Sequence, residues 1–234
     1  MALRSACTGH FCQEAGQDRR RAQMYVIGLT GGIGSGKSTV ALMLESRGAV
    51  ILSADATGHE VYEPGRPAFQ EIVDAFGDGV VAADGKIDRK ALGPIVFSDP
   101  AQLERLNSIT HPRMKELMRE KLDAERARGT RIVVLEAALL FDAGWDDLTD
   151  EVWATALPDE VAARRTAERS GVSLEEALSR IRAQMPGEER VARSQVVINT
   201  DCSIDETRQQ VEKEWERLEQ RLSARETPSG NRGV

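Results

Sequence analysis

The sequence predicts an α/β fold in three layers, a five-stranded parallel sheet flanked by helices, and three observations carry that reading. Five short apolar, partly β-branched runs recur along the 234 residues, at 25–29, 49–52, 131–135, 152–157 and 195–198. Each has the length and character of a strand buried on both faces. Stretches with helical signals separate them, the alternation that builds parallel sheets. Between the first run and its helix stands a turn in which Gly31, Gly32, Gly34 and Gly36 fall close together. At this length the expectation is one domain with an insertion, or a large and a small lobe.

That turn reads Gly31-Gly32-Ile33-Gly34-Ser35-Gly36-Lys37-Ser38 and fits G-x-x-x-x-G-K-[ST], the phosphate-binding P-loop. Glycines let the loop curl with successive N–H groups pointing inward. The next helix, expected at 36–47 with Gly48 as its stop, aims its positive end at the same spot. Lys37 adds a mobile cation for β- and γ-phosphates, and the Ser38 hydroxyl can ligate Mg²⁺. With a strand before and a helix after, the pattern predicts a nucleoside-triphosphate site in a P-loop nucleoside-triphosphate hydrolase-like fold.

The second strand ends just before Asp55. Ligands of open parallel sheets collect beyond the carboxyl ends of strands, so Asp55 is a candidate to accept a proton from an attacking hydroxyl. A helix N-cap role is compatible with that. Residues 58–128 read as a mostly helical insertion, with turns at Glu63-Pro64-Gly65, Asp84-Gly85 and Ser98-Asp99-Pro100. Helices are expected at 67–76, 88–93, 100–109 and 112–128, the last opened by His111-Pro112-Arg113 with Pro112 in its first turn. Chemistry alone leaves His111 open between a structural role and substrate contact. Glu136 follows the third strand, where P-loop enzymes place a second carboxylate near Mg²⁺; a salt bridge or cap is the other reading.

The fourth strand leads through Pro158 into a segment holding Arg164, Arg165, Arg169, Arg180, Arg182, Arg190 and Arg193. Arg165 and Arg169 share a helical face, Gly171 breaks that helix, and Ser173 with Glu176 forms a capping box for another. Short arginine-rich helices around a glycine fit a small lid over triphosphate, at about 163–190, with Arg169 the best single candidate. The alternative is a solvated face pairing with Glu160, Glu168, Glu175 and Glu176. Asn199 ends the fifth strand, and Val211, Trp215, Leu218 and Leu222 form the apolar stripe of a closing helix. Residues 223–234 are expected to be disordered.

Composition narrows the partners. A net charge of −7 argues against nucleic acid or an anionic membrane as main partner, and 4% aromatic content argues against base stacking. Cys7, Cys12 and Cys202 are an odd, scattered set that fits a reducing cytoplasm. Cys7, His10 and Cys12 lack the second ligand pair of a zinc site.

Collected in order, several blocks resemble the dephospho-CoA kinase family. They are the run from Ile27 to Thr39, Ala54-Asp55, Glu60-Val61-Tyr62-Glu63-Pro64-Gly65, Leu106-Asn107 with His111-Pro112, Leu139-Leu140-Phe141, Arg180-Ile181 with Gln184, and Val197-Ile198-Asn199. The resemblance implies transfer of the ATP γ-phosphoryl to the ribose 3′-hydroxyl of dephospho-CoA, with Mg²⁺, in a monomer or small homo-oligomer. It implies ATP binding at Ile33, Gly34, Ser35, Gly36, Lys37, Ser38 and Thr39, with Asp55 as base and Arg169 in the lid. His111, Leu139, Leu140 and Phe141 would line the acceptor site. The core would be 24–57 with 129–222, and 58–128 the CoA-binding insertion. The chain departs from the family pattern at Ser53, His59, Ala138, Asp142 and Ser194-Gln195. Another small-molecule kinase, such as a nucleoside monophosphate kinase, shares the cradle and lid. A GTP switch would need Asn-Lys-x-Asp, which is absent, and a non-catalytic nucleotide-binding module is the third alternative.

Overall fold

The computed structural model describes residues 24–226. The expected extension at 1–23, with Cys7, His10 and Cys12, lies outside these residues, as does 227–234. Five strands form one parallel sheet: β1 (Tyr25–Thr30), β2 (Val50–Ser53), β3 (Ile132–Glu136), β4 (Glu151–Ala156) and β5 (Val196–Asn199). Their order is β2-β3-β1-β4-β5, and every pair is parallel. Each strand lies within a residue of its expected place.

Alternate side chains of a strand point to opposite faces, and the two halves of the core follow that parity. Tyr25, Ile27 and Leu29 join Ile132, Val134 and Trp153 under α1 (Lys37–Ser46) and α9 (Ile204–Glu226). On the other face Val26, Val133, Leu135 and Val152 pack against Leu117, Met118 and Leu122 of α5 (Pro100–Arg128). Fully buried side chains of this size each stabilise by about 1.5–3 kcal/mol. The α9 stripe of Val211, Trp215, Leu218 and Leu222 is buried as its spacing predicts. That helix runs to Glu226, so 223–226 are helical rather than disordered.

Between β2 and β3 lie α2 (Ala54–Thr57), α3 (Pro67–Phe76), α4 (Arg89–Phe97) and α5, joined by short 3-10 turns. Ile72, Val80, Ile87, Leu92 and Val96 form a separate core there. The two expected helices at 100–109 and 112–128 are one, with Pro112 inside it. Proline withdraws the N–H that the Ser108 carbonyl would take, a penalty of about 3 kcal/mol. Ile109 packs against both the insertion core and the sheet-face core, so apolar burial on either side of Pro112 holds the axis unbroken. Likewise α4 continues past the expected 93 to Phe97 with Pro94 inside. After β4 come α6 (Asp159–Ser170), α7 (Leu174–Arg182) and α8 (Gly187–Ala192). Among the described residues no helix is long and apolar enough to cross a membrane.

Candidate active site

The carboxyl edge of the sheet collects the chemistry. Strand β1 is central, with β3 on one side and β4 on the other, so the loop leaving it emerges where neighbouring connections diverge, the crevice that binds ligands in such sheets. Gly36 caps α1 in the left-handed region, φ 77°. Gly34 is also left-handed, φ 75°, and a Cβ there would meet the Ala162 carbonyl oxygen at 2.5 Å and Thr166 Oγ1 at 2.6 Å. Helix α6 therefore presses against the loop with no room for a methyl group. Gly34→Ala should lower stability by about 2–4 kcal/mol, the sum of left-handed strain and overlap. Denaturant unfolding checks this; an unchanged midpoint would refute the close approach of α6.

Lys37 opens α1 and is buried. Its Nζ donates to Asp55 Oδ2 at 2.9 Å and to Glu136 Oε1 at 3.2 Å. Ser38 Oγ donates to the same Glu136 oxygen at 2.9 Å. Register explains the meeting, because Glu136 stands level with Leu29 on β1 and with Ser53 on β2. The Glu136 side chain is 8% exposed and that of Asp55 59%. One carboxylate is thus part of the wall, and the other faces the opening. Ser53 Oγ accepts from the Ala56 N–H at 3.3 Å and caps α2, which carries Asp55. The departure at Ser53 keeps an N-cap side chain there.

A cavity of about 580 Å³ joins these groups; Gly31 through Thr39, Asp55, Ala138, Arg165 and Arg169 line it, with Thr200 and Cys202 beyond. Ile33, Gly34, Ser35, Gly36, Lys37, Ser38 and Thr39 are therefore all on one wall, facing Asp55. Arg169 is exposed at its rim. Arg165, by contrast, donates from Nη2 to the Thr200 carbonyl at 2.9 Å. Thr200 was not apparent from the sequence as a site residue. Its Oγ1 donates to the Ser35 carbonyl at 2.8 Å, and Ser35 Oγ lies 2.7 Å from Thr155 Oγ1. The loop is thus braced from β4 and from the end of β5. Asn199 instead organises the entry to α9, its Oδ1 accepting from the Asp201 N–H. Gln184 Oε1 accepts from the Ile33 N–H at 2.9 Å.

The remaining candidates lie on the α5 side of the sheet. His111 is half-buried, edge-on to Trp145 with ring centroids 6.3 Å apart. Burial lowers its pKa below the ordinary value while Asp142 pulls the other way, so the ring is neutral at pH 7. Leu139 is exposed, whereas Leu140 is fully buried and Phe141 nearly so. Leu140 packs where Gly28 leaves space, and the Arg193 guanidinium sits 4.1 Å above the Phe141 ring. His59 Nε2 lies 3.0 Å from Arg89 Nη1, which puts a guanidinium beside the histidine. Gln195 Oε1 accepts from the Val152 N–H at 2.7 Å and tethers β4.

Comparison with known proteins agrees with this geometry. The family model for dephospho-CoA kinase matches residues 25–206. A dephospho-CoA kinase of Moorella thermoacetica is 47% identical over 208 residues, 88% of this chain and 98% of the relative. One from Geobacter sulfurreducens is 46% identical over 192 residues, covering 82% and 98%. Among solved structures, TT1252 from Thermus thermophilus superposes with TM-score 0.70 at 37% identity, covering 85% of this chain and 98% of that one. Dephospho-CoA kinase from Campylobacter jejuni gives 0.64 at 27%, covering 83% and 97%. A match of this extent, across the sheet, the insertion and the arginine-rich helices alike, means that the chain belongs to the dephospho-CoA kinase family.

Proposed function

We propose that this chain transfers the γ-phosphoryl group of ATP to the ribose 3′-hydroxyl of dephospho-CoA. The observation that carries the reading is the single cavity shared by the glycine-loop amides, Lys37 and the exposed Asp55 carboxylate. Phosphoryl transfer asks mainly for positioning and charge stabilisation. The loop amides and Lys37 hold the triphosphate, and Thr200, Cys202 and Ile204 are close enough along the same cavity to meet the nucleoside. The insertion at 58–128 is assigned to the acceptor, with His111 and the 139–141 loop bordering it.

Charge balance supports a divalent cation. Lys37 is shared between two carboxylates at the loop, so a triphosphate brought there alone would lie beside the negative charge of Asp55 and Glu136. Mg²⁺ fits the donor set, since it takes one or two carboxylates or hydroxyls together with phosphate oxygens; Ser38 and Glu136 would hold it, and it would neutralise charge on the phosphates. Lys37 turns toward the phosphates and loosens from Asp55, which frees that carboxylate to orient the hydroxyl and take its proton. Arg169 and Arg165 approach from the lid side, where they offset charge on the transferred oxygens and exclude water.

The test is ADP release from ATP on adding dephospho-CoA, with the product identified by mass as coenzyme A. Nucleoside monophosphates serve as the competing acceptors. Turnover with those and none with dephospho-CoA would overturn the assignment.

A further inference from the structure

The arginines of 159–194 are alike in sequence but not in place. Arg190, on α8, is 5% exposed, while Arg164, Arg169, Arg180 and Arg182 are exposed to solvent. The only hydrogen bond of its guanidinium among the described residues runs from Nη2 to the Met185 carbonyl, at 2.9 Å. A guanidinium has five N–H donors, and Arg190 makes no ion pair among the described residues. Its other nitrogens are not sealed off, since among the described residues the one fully enclosed polar side-chain atom lacking a partner is Trp145 Nε1. Those donors open on a second cavity, of about 790 Å³, that shares Gly32, Ile33 and Ser35 with the phosphate cradle. A Cβ on Gly32 would lie 3.3 Å from Arg190 Nη1 and 3.4 Å from Gln184 Oε1. The cation therefore touches the mouth of the glycine loop. Gln184, bonded to the Ile33 amide, fixes the segment that carries it.

Burying a charged group without a partner is costly, and such groups are ordinarily paired. Burial pulls the Arg190 pKa down, with Asp142 and Asp159 acting in the opposite direction, yet neither carboxylate closes an ion pair. A cation kept buried with free donors beside a phosphate loop is a site waiting for an anion.

We propose that Arg190 is a further catalytic residue, whose free guanidinium donors bind the phosphoryl group in transfer from the Gly32 side of the loop. The inference rests on the kinase reading above. In the step it serves, the acceptor oxygen forms a bond to the γ-phosphorus as the bond to the β–γ bridging oxygen breaks. The bonding pair leaves with ADP, and the hydroxyl proton goes to Asp55. Arg190 forms no covalent bond; it stabilises negative charge on the equatorial oxygens opposite Lys37. The role differs from that of the rim residue Arg169, which reaches the site only from its exposed edge.

The experiment compares Arg190→Met and Arg190→Lys with wild type in the full chain. It measures kcat and KM, ATP affinity, thermal melting, and affinity for ADP with aluminium fluoride, a mimic of the transferred group. Expected is a fall in kcat of about 100-fold for Arg190→Met and about 10-fold for Arg190→Lys. ATP affinity should stay within about threefold, and affinity for the ADP–fluoride mimic should fall in step with kcat. A purely structural role predicts lower melting with kcat of the folded fraction unchanged, and that result overturns the proposal. If Arg190→Met fails to fold, Arg190→Lys retains the charge and carries the test. Should wild type ignore dephospho-CoA yet bind the mimic in an Arg190-dependent way, the acceptor assignment fails and the Arg190 role stands. Mimic binding unaffected by either variant sinks the role itself.

Discussion

Replacing Lys37 with alanine is expected to lower kcat about 10³-fold, the range seen when one preorganised electrostatic group is removed. Two effects must be separated. The first is chemical: Lys37 Nζ is the buried cation at the N-terminus of α1, carried by the glycine loop itself, whereas the arginines of the site come from other elements. The second is structural, because the variant leaves Glu136 buried with Ser38 Oγ, at 2.9 Å, as its remaining donor. Breaking a buried pair from one side costs about 3–5 kcal/mol. Here the retained Ser38 bond and the recovered hydration cost of the lysine reduce that to about 1–2 kcal/mol. Adding Glu136→Gln to Lys37→Ala should therefore restore melting toward wild type and leave turnover low. Calorimetric melting and single-turnover phosphorylation read the two effects independently. A folded Lys37→Ala protein with kcat within tenfold of wild type would falsify the role assigned to the lysine.

What could be read in advance was whatever depends on neighbours along the chain. The glycine spacing from Gly31 to Gly36, the apolar runs and the stripe from Val211 to Leu222 each carry a local rule, and each lies where that rule puts it. Asp55 and Glu136 were accessible by the same route, since a strand end is a position in sequence as well as in space. Pro112 misled because its local rule, ending or starting a helix, is outweighed by burial at Ile109, Leu117 and Met118. Thr200 was invisible for a different reason: its partner Ser35 lies 165 residues away, and no pattern in either segment announces the contact. Arg190 stood among seven similar residues, and only its burial against Gly32 separates it from them.

Asp55→Asn is expected to reduce kcat by about 10²–10⁴-fold, the usual contribution of a positioned general base, with ATP affinity held within about threefold. Asparagine has the same shape, and its carbonyl oxygen can still accept from Lys37 Nζ where Asp55 Oδ2 does at 2.9 Å. It cannot take the proton of the attacking hydroxyl, so the loss falls on the chemical step. Stability should barely move, because the Asp55 side chain is 59% exposed and pairs so open to water contribute about 0–1 kcal/mol. This separates Asp55 from Glu136, whose burial ties any charge change to folding. Steady-state kinetics beside calorimetric ATP binding distinguish the outcomes. Normal turnover would remove Asp55 from the base role. A hundredfold loss of ATP affinity with little change in kcat would mean that the carboxylate acts through Lys37, holding the cation in place for the triphosphate. Only a fall in kcat at constant ATP affinity places the proton on Asp55, and the geometry favours that result. The carboxylate faces the opening from α2, while Lys37 stays held by Glu136 on the side away from solvent.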